Sequence, residues 1–173
     1  DFPLSNMVNS GIDTVGIITK SNYQSLMDHV GSGKDWDLAR KDGGLIFLPP
    51  YGDLGNDRLY TSRLEALKGI TSFLFRADEE YVVMSDCDNV CRINFNDVIE
   101  QHIANKADIT MVYKKYNAYD SDMNASVTKI ALENDRVTEV KYCLPNAGEI
   151  ENIFINIYVM KKSLLLNIVM DSI

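Results

Sequence analysis

Two carboxylates stand at a place in the sequence where a metal ion would be bound. In the segment VVMSDCDNV, an apolar run leads into Asp86 and Asp88. In an open parallel sheet, ligands collect outside the carboxyl ends of the strands, so both side chains are candidate ligands. Mg²⁺ favours a few carboxylates together with phosphate oxygens. The alternative is that both residues only end the strand and cap a turn, and the spacing alone supports this alternative as well as it supports a metal site.

The segments around this strand predict an α/β fold. Helical spacing of apolar residues marks segments 2–11, 21–31 and 94–106, and the stretch from Asn56 to Phe75 is predicted as one long amphipathic helix. These helices alternate with the apolar runs DTVGIIT, LIFLPPY, EYVVMSD and ADITMVYK. A hairpin around ENDR, the strand IFINIYVM and the helix KSLLLNIVM follow. This order predicts a mainly parallel sheet flanked by helices.

Composition narrows the class of protein. A chain of 173 residues predicts one domain, and its net charge of −8 argues against binding a nucleic-acid backbone. No apolar run approaches the roughly 20 residues of a membrane helix, and the N-terminus lacks the layout of a signal peptide. The three cysteines, 87, 91 and 143, are an odd number, and the two histidines are far apart in sequence. Reduced thiols in a cytoplasmic protein are therefore the expectation, rather than a zinc site.

Three longer motifs carry a family resemblance. The stretches DFPLSNMVNSGIDTVGIIT, GKDWDLARKDGG and FLPPY resemble bacterial ADP-glucose pyrophosphorylases (glucose-1-phosphate adenylyltransferases) in order and spacing. The resemblance implies a nucleotide-diphospho-sugar transferase fold, Rossmann-like and GT-A-like, with residues 1–173 forming one nucleotidyltransferase domain. It also implies that the family's phosphate-binding loop precedes residue 1 and that a β-helix domain lies beyond residue 173. The expectation is thus an interior fragment that is inactive by itself.

The family's ligand-binding helix start aligns with YTSRLEAL, residues 60–67. Tyr60 is kept, Ser62 and Arg63 replace a glycine and a threonine, and Glu65 stands for an aspartate. By resemblance, these four positions approach the nucleotide and the sugar. A glycine at such a position permits a ligand to approach the backbone closely. Ser62 and the bulky Arg63 would therefore crowd the ligand. The alternative is a well-formed helix with Arg63 on its solvent face.

Two further positions depart from the catalytic pattern. Asp86 and Asp88 are alternative alignments of one metal-binding aspartate, because the segment is longer than the family's by two residues. Cys143 falls at the position of a lysine that holds the sugar phosphate in the family. Lys141 is the alternative cation, about 6–7 Å away along a strand. No residue is assigned a catalytic role.

These departures all fall on the ligand-facing side, whereas the scaffold motifs are intact. The combination resembles the D-type glycogen-biosynthesis subunit, so we expect a regulatory, catalytically weak or silent subunit. Its expected partner is a catalytic pyrophosphorylase subunit or a second copy of itself. The alternative is an active adenylyltransferase that makes ADP-glucose and pyrophosphate from ATP and glucose 1-phosphate, with Mg²⁺ as cofactor.

Overall fold

The structure, a computed structural model, describes residues 1–20, 23–49, 62–117, 125–146 and 148–171. Helices and strands alternate over most of the chain, in the order that the sequence predicts. They are α1 (Phe2–Asn9), β1 (Thr14–Ile18), α2 (Gln24–Val30), a 3₁₀-helix (Lys34–Trp36), β2 (Gly44–Leu48), α3 (Arg63–Lys68), α4 (Thr71–Arg76), β3 (Tyr81–Ser85), α5 (Phe95–Ala104), β4 (Ile109–Asn117), β5 (Val127–Glu133), β6 (Arg136–Cys143), β7 (Ile150–Lys161) and α6 (Lys162–Asp171). Within these ranges, no helix has the length and apolarity needed to cross a membrane.

The first two strands form a small parallel sheet. β1 and β2 are paired from Thr14 opposite Gly44 to Ile18 opposite Leu48. Parallel strands need a crossover connection, and α2 with the 3₁₀-helix supplies it. This is the β-α-β unit that the sequence predicts.

The second sheet is built around β7. This long strand pairs with β3 and β4 along its residues 157–160, which places those two strands on opposite edges of β7. β5 meets β7 where Lys129 lies opposite Ile153, and β6 pairs with β5. The pairings follow the path β3-β7-β5-β6, and β4 pairs with β7 along the edge opposite β3.

The α/β class is confirmed, and the strand directions add a detail. β3 and β4 are each antiparallel to β7, so they run parallel to each other. β7 is inserted between them in the opposite direction. The order of elements along the chain does not predict this insertion, because the pairing joins segments that are distant in sequence.

Two groups of buried apolar side chains hold the helices on the sheets. The larger group brings α3, α4 and α6 together with β2 and β7: Leu48, Leu67, Ile70, Leu74, Met160, Leu165 and Val169. The smaller group packs α1, α2 and the segment after the 3₁₀-helix against β1: Leu4, Val15, Val30 and Leu38. The core therefore fixes the start of α3 relative to β7, and that arrangement positions the candidate site.

One helix prediction is wrong in its continuity. The stretch predicted as a single helix to Phe75 is divided into α3 and α4 by a turn at Gly69 and Ile70, while residues 56–61 lie outside the described part. Glycine is a poor helix former, and here the chain turns at it. Leu67, Ile70 and Leu74 are nevertheless all buried in one core, so the apolar stripe was predicted correctly.

The hairpin predicted around ENDR is present as β5 and β6. Asn134 and Asp135 form its turn, with φ of 50° and 61°. Positive φ at both central residues is the requirement of the tight hairpin turn that matches the twist of its strands, and Asn and Asp tolerate it. This hairpin carries Cys143 and Lys141 at the end of β6.

Candidate functional site

Asp86 follows β3 directly and opens the loop to α5. The Ser85 hydroxyl donates to the Asp86 carbonyl at 2.9 Å. Further along the loop, the Asn89 amide donates to the Ile155 carbonyl of β7, also at 2.9 Å. The Asn89 bond anchors the loop to the central strand, and this helps to fix the position of Asp86 relative to β7.

The first helix holds the far end of the same loop. The Asn6 side chain donates to the Cys91 carbonyl at 2.8 Å and accepts from the Ile93 N–H at 3.4 Å. The Ser10 hydroxyl accepts from the N–H of Phe95, the first residue of α5, at 2.8 Å. Asn6 and Ser10 are both buried. The DFPLSN motif therefore serves the scaffold that carries Asp86.

Ser62 caps α3, with its hydroxyl accepting from the Glu65 N–H at 3.1 Å. Serine followed three residues later by glutamate is the sequence signature of a capping box. This capping bond sets the start of the helix, so Arg63 is its first residue. The position that the sequence resemblance aligns with a glycine is thus occupied by a helix cap.

Arg63 binds Asp86. Its Nη2 lies 2.7 Å from Asp86 Oδ1 and 2.9 Å from Oδ2, so one nitrogen donates to both carboxylate oxygens. The guanidinium carbon also lies 5.6 Å from the centre of the Tyr158 ring, within the range of a cation–π contact. Both partners are partly exposed to solvent. The alternative interpretation places Arg63 on the solvent face of the helix; in the structure its side chain is 41% exposed and also pairs across to the end of β3.

These residues do not fit a magnesium site as they stand. Both oxygens of Asp86 accept hydrogen bonds from Arg63, and Asp88 is exposed in the turn that follows. Within the described ranges, no three His, Cys, Asp or Glu side chains gather closely enough to hold a metal ion. A divalent ion at Asp86 would first have to displace a guanidinium.

The end of the hairpin forms a second polar cluster. Lys129 Nζ lies 2.6 Å from Glu151 Oε1, and these side chains are only 15% and 10% exposed. The pKa of Lys129 is raised, chiefly by the Glu151 hydrogen bond and to a smaller extent by one to the Cys143 side chain, against the opposing effect of burial. Cys143 thus lies beside an ammonium group that a neighbouring strand supplies.

Lys141, the alternative cation, is bound within its own strand. Its Nζ lies 2.8 Å from Glu139 Oε1 of the same strand, and both side chains are largely exposed. Lys141, Glu139, Lys129 and Glu151 line one open pocket on the surface of the hairpin. Each lysine of this pocket is therefore paired with a glutamate.

The structure separates the predicted site residues into two groups. Ser62, Arg63, Glu65 and Asp86 come together beside Tyr158, whereas Cys143 and Lys141 lie at the other end of β7, near Glu151. The distance along β7 from Tyr158 to Glu151 is about 20 Å. Tyr60 lies outside the described residues.

Sequence reasoning missed Lys129 and Glu151. A lysine and a glutamate in two different strands carry no local signal of pairing. The hairpin register alone would have helped, because Lys129 lies opposite Lys141, two residues from Cys143. The bond from Glu151 depends on the third strand, β7.

The chain belongs to the Nucleotidyl transferase family. Residues 1–124, well over half of the chain, match the sequence model of that family. The fold agrees: a Bacillus anthracis structure described as a glucose-1-phosphate thymidylyltransferase superposes with a TM-score of 0.66 over 95% of this chain and 58% of its own. At 13% identity, that likeness concerns the fold alone.

The curated relatives are of two kinds. Glycogen biosynthesis protein GlgD from Geobacillus stearothermophilus is 41% identical over 112 residues, covering 65% of this chain and 33% of the relative. GlgD from Bacillus subtilis is 39% identical over 120 residues, 66% of this chain and 33% of the relative. Glucose-1-phosphate adenylyltransferase from Lachnospira eligens is 40% identical over 111 residues, 64% and 26% respectively. The chain spans a third or less of the length of these relatives.

Proposed function

We propose that the chain is part of the nucleotidyltransferase domain of a regulatory, catalytically weak or silent subunit of glucose-1-phosphate adenylyltransferase, acting in glycogen biosynthesis. Residues 1–173 belong to that single domain. The observation that carries the proposal is the Arg63 guanidinium on both oxygens of Asp86. The GlgD relatives support the same assignment.

The Arg63–Asp86 pair affects the step that a nucleotidyltransferase must catalyse. Phosphoryl transfer depends on positioning and on offsetting charge at the phosphates, which a metal ion held by carboxylates ordinarily does. With Arg63 bound to both of its oxygens, the Asp86 carboxylate is already paired with a positive charge, and a divalent cation would have to compete with the guanidinium for it.

The hairpin cluster supports the same conclusion for the sugar phosphate. A dianion needs an accessible cation, and a thiol at Cys143 does not provide one. Lys129 is bound to Glu151, and Lys141 is bound to Glu139. The cluster is therefore close to electrically neutral where the family resemblance implies that a phosphate is held.

The alternative function is a catalytically active adenylyltransferase that makes ADP-glucose and pyrophosphate from ATP and glucose 1-phosphate. It is favoured by the Lachnospira eligens relative, which is as similar to this chain as the GlgD proteins are. Under this alternative, Mg²⁺ is the cofactor and Arg63 must move away from Asp86 when substrates bind. The regulatory proposal instead names a catalytic pyrophosphorylase subunit as partner.

One assay distinguishes the regulatory proposal from the catalytic alternative. ADP-glucose synthesis is measured with the full-length protein that contains this chain, alone and with its catalytic partner, in the presence of Mg²⁺. We expect no turnover from the protein alone and an altered turnover or substrate affinity in the partner. Turnover alone within the usual enzymatic range of about 1–10³ s⁻¹ would overturn the regulatory proposal.

A second experiment tests whether Arg63 is the reason that the subunit lacks catalytic activity. In the full-length protein, Arg63→Thr is expected to strengthen Mn²⁺ binding at least tenfold, measured by the loss of the free-ion signal in electron paramagnetic resonance. Adding Asp86→Asn should remove the gain. Arg76→Thr is the matched control, because Arg76 is also exposed and, among the described residues, its side chain bonds only to the Ser72 carbonyl of its own helix. Equal Mn²⁺ affinity in wild type and Arg63→Thr would contradict the argument.

A further inference from the structure

The central strand β7 contains a bulge. Its pairing with β4 runs from Met160 to Ile157 and then jumps to Phe154 between two consecutive residues of β4. Ile155 and Asn156 therefore have no counterpart in the described pairing of these two strands. Bulges bend a strand and are over-represented next to active sites, where they re-aim a side chain or end the pairing.

Asn156 gives this bulge its backbone conformation. Its φ is 59°, in the left-handed region that residues other than glycine rarely adopt and that asparagine tolerates more readily than most. Asn156 lies in the middle of a strand, whereas the other described non-glycine residues with positive φ lie in turns or next to helix ends: Asp37, Lys106, Asn134 and Asp135. A left-handed residue persists inside a strand only when the surrounding structure holds it there.

The loop that carries Asp86 is tied to this bulge. β3 pairs with β7 as far as Ser85 opposite Ile157. The chain then leaves the sheet with Asp86 and returns three residues later, where the Asn89 amide donates to the Ile155 carbonyl of the bulge at 2.9 Å. The same amide lies 3.5 Å from the Asp86 carbonyl oxygen. The anchor of the loop is therefore a backbone carbonyl of the bulge.

The direction of that carbonyl depends on Asn156. The Ile155 carbonyl lies in the peptide plane that joins Ile155 to Asn156, so rotation about φ of Asn156 turns it relative to the rest of β7. With φ at 59°, the carbonyl meets the Asn89 amide. An extended backbone at Asn156 would turn the carbonyl away, and the bond to Asn89 would be lost.

The same strand holds the other partner of the ion pair. The Arg63 guanidinium carbon lies 5.6 Å from the ring centre of Tyr158, two residues after Asn156. Arg63 is thus placed against β7 just after the bulge, and Asp86 is tied to β7 through Asn89 at the bulge itself. The relative position of the guanidinium and the carboxylate therefore depends on the backbone of the bulge.

We propose that Asn156 and Asn89 are positioning residues of the candidate site. The left-handed backbone at Asn156 directs the Ile155 carbonyl to Asn89, and this bond places the Asp86 carboxylate against Arg63. This role rests on the proposed function, because it concerns how the Arg63–Asp86 pair is held in place.

Arginine-selective labelling tests the positioning. In the full-length protein that contains this chain, phenylglyoxal modifies arginine side chains, and peptide mass spectrometry measures the rate at Arg63. Arg76 is the internal reference, because its side chain is exposed and, among the described residues, bonds only to the Ser72 carbonyl. Asn89→Ala should raise the Arg63 rate about fivefold, the factor that corresponds to one net hydrogen bond, and leave the Arg76 rate unchanged. A merely structural role for Asn89 would instead raise both rates together, through unfolding of the chain.

Two variants at position 156 test the backbone conformation separately. Asn156→Gly keeps positive φ available and should leave the Arg63 rate unchanged. Asn156→Val should raise it as much as Asn89→Ala does, because a β-branched residue strongly disfavours positive φ. Equal Arg63 rates in the glycine and valine variants would overturn the inference.

Val90→Ala is the matched control for Asn89→Ala. Val90 lies in the same loop and is 74% exposed, so its truncation should leave the Arg63 rate unchanged. Equal Arg63 rates in Asn89→Ala and Val90→Ala would overturn the inference. This comparison decides the question where Asn156→Val does not fold.

Asp86→Asn separates the positioning role from the proposed function. It removes the charge of the carboxylate and should raise the Arg63 rate at least as much as Asn89→Ala does. A raised rate in Asp86→Asn with none in Asn89→Ala would overturn the positioning role and leave the Arg63–Asp86 pair intact. An unchanged rate in Asp86→Asn would overturn the pair, and with it both proposals.

Discussion

Replacing Asn6 by alanine tests whether α1 holds the loop that carries Asp86. The Asn6 amide donates to the Cys91 carbonyl and accepts from the Ile93 N–H, and alanine removes both bonds. The Cys91 carbonyl and the Ile93 N–H then each lose a hydrogen-bond partner that lies 85 or more residues away in sequence. We expect a lower free energy of unfolding, because tertiary hydrogen bonds are lost at a buried position.

The magnitude follows from the burial of the groups involved. A neutral hydrogen bond contributes about 1 kcal/mol net, and a buried group left without a partner costs about 1–3 kcal/mol. Asn6 is 8% exposed, whereas Cys91 and Ile93 are only partly buried, so water replaces some of the lost bonding. The expected loss is about 2 kcal/mol, since the 2.8 Å bond dominates over the 3.4 Å one. For a chain of this length, that corresponds to a fall in Tm of about 4–8 °C.

Urea unfolding measures this loss with two probes. Far-UV circular dichroism follows the helices, and the fluorescence of Trp36, the single tryptophan, follows the region around α1. The Trp36 indole donates to Ser5 Oγ of α1 at 3.1 Å, so its signal reports on the docking of that helix. Coincident transitions would justify a two-state analysis of the free energy.

Asn9→Ala is the matched control. Asn9 lies in the same helix but is exposed, and alanine there should change stability by no more than about 0.5 kcal/mol. The reasoning is refuted when Asn6→Ala and Asn9→Ala unfold at the same urea concentration. In that case, the contacts from α1 to the loop would contribute nothing to the fold.

Two further predictions concern a buried histidine and a pair of glycines. Burial and the nearby charge of Lys161 lower the pKa of His102, which is 2% exposed. The free energy of unfolding should therefore fall as the pH drops below 6.5, the ordinary value, and His102→Gln should flatten this slope; an unchanged slope contradicts the prediction. Gly44→Ala should cost about 1–3 kcal/mol more than Gly11→Ala, measured by thermal unfolding. Both glycines have positive φ, but a Cβ at Gly44 would lie 2.5 Å from the Leu38 carbonyl oxygen, whereas no described atom lies within 4 Å of a Cβ at Gly11. Equal losses of stability in the two variants would refute this prediction.

Local patterns predicted the elements well where their cause is local. The apolar spacing of α5, the turn residues Asn134 and Asp135, and the β-branched run of β3 depend on neighbours in sequence, and each element is present. The break at Gly69 was missed because periodicity reports which side of a segment is buried. It does not report whether the backbone hydrogen bonds continue through the glycine.

The sequence likewise predicted one part of the candidate site and missed another. Family resemblance singled out Ser62, Arg63 and Asp86 from their positions in sequence, and the structure brings these residues together. The ion pair between Arg63 and Asp86 was not predicted, because it joins the first residue of a helix to the end of a strand 23 positions later. Its geometry depends on how α3 packs against the sheet.

The sequence by itself determined the α/β class, the order of helices and strands, and membership of a nucleotidyltransferase family, because each rests on local periodicity or on motifs in order. Tertiary structure alone decided the antiparallel insertion of β7, the pairing of Lys129 with Glu151 beside Cys143, and the place of β6 next to β5 at the end of the described strand order. These features arise from contacts between segments far apart in the chain. Their energies depend on burial and register, which no local stretch of sequence contains.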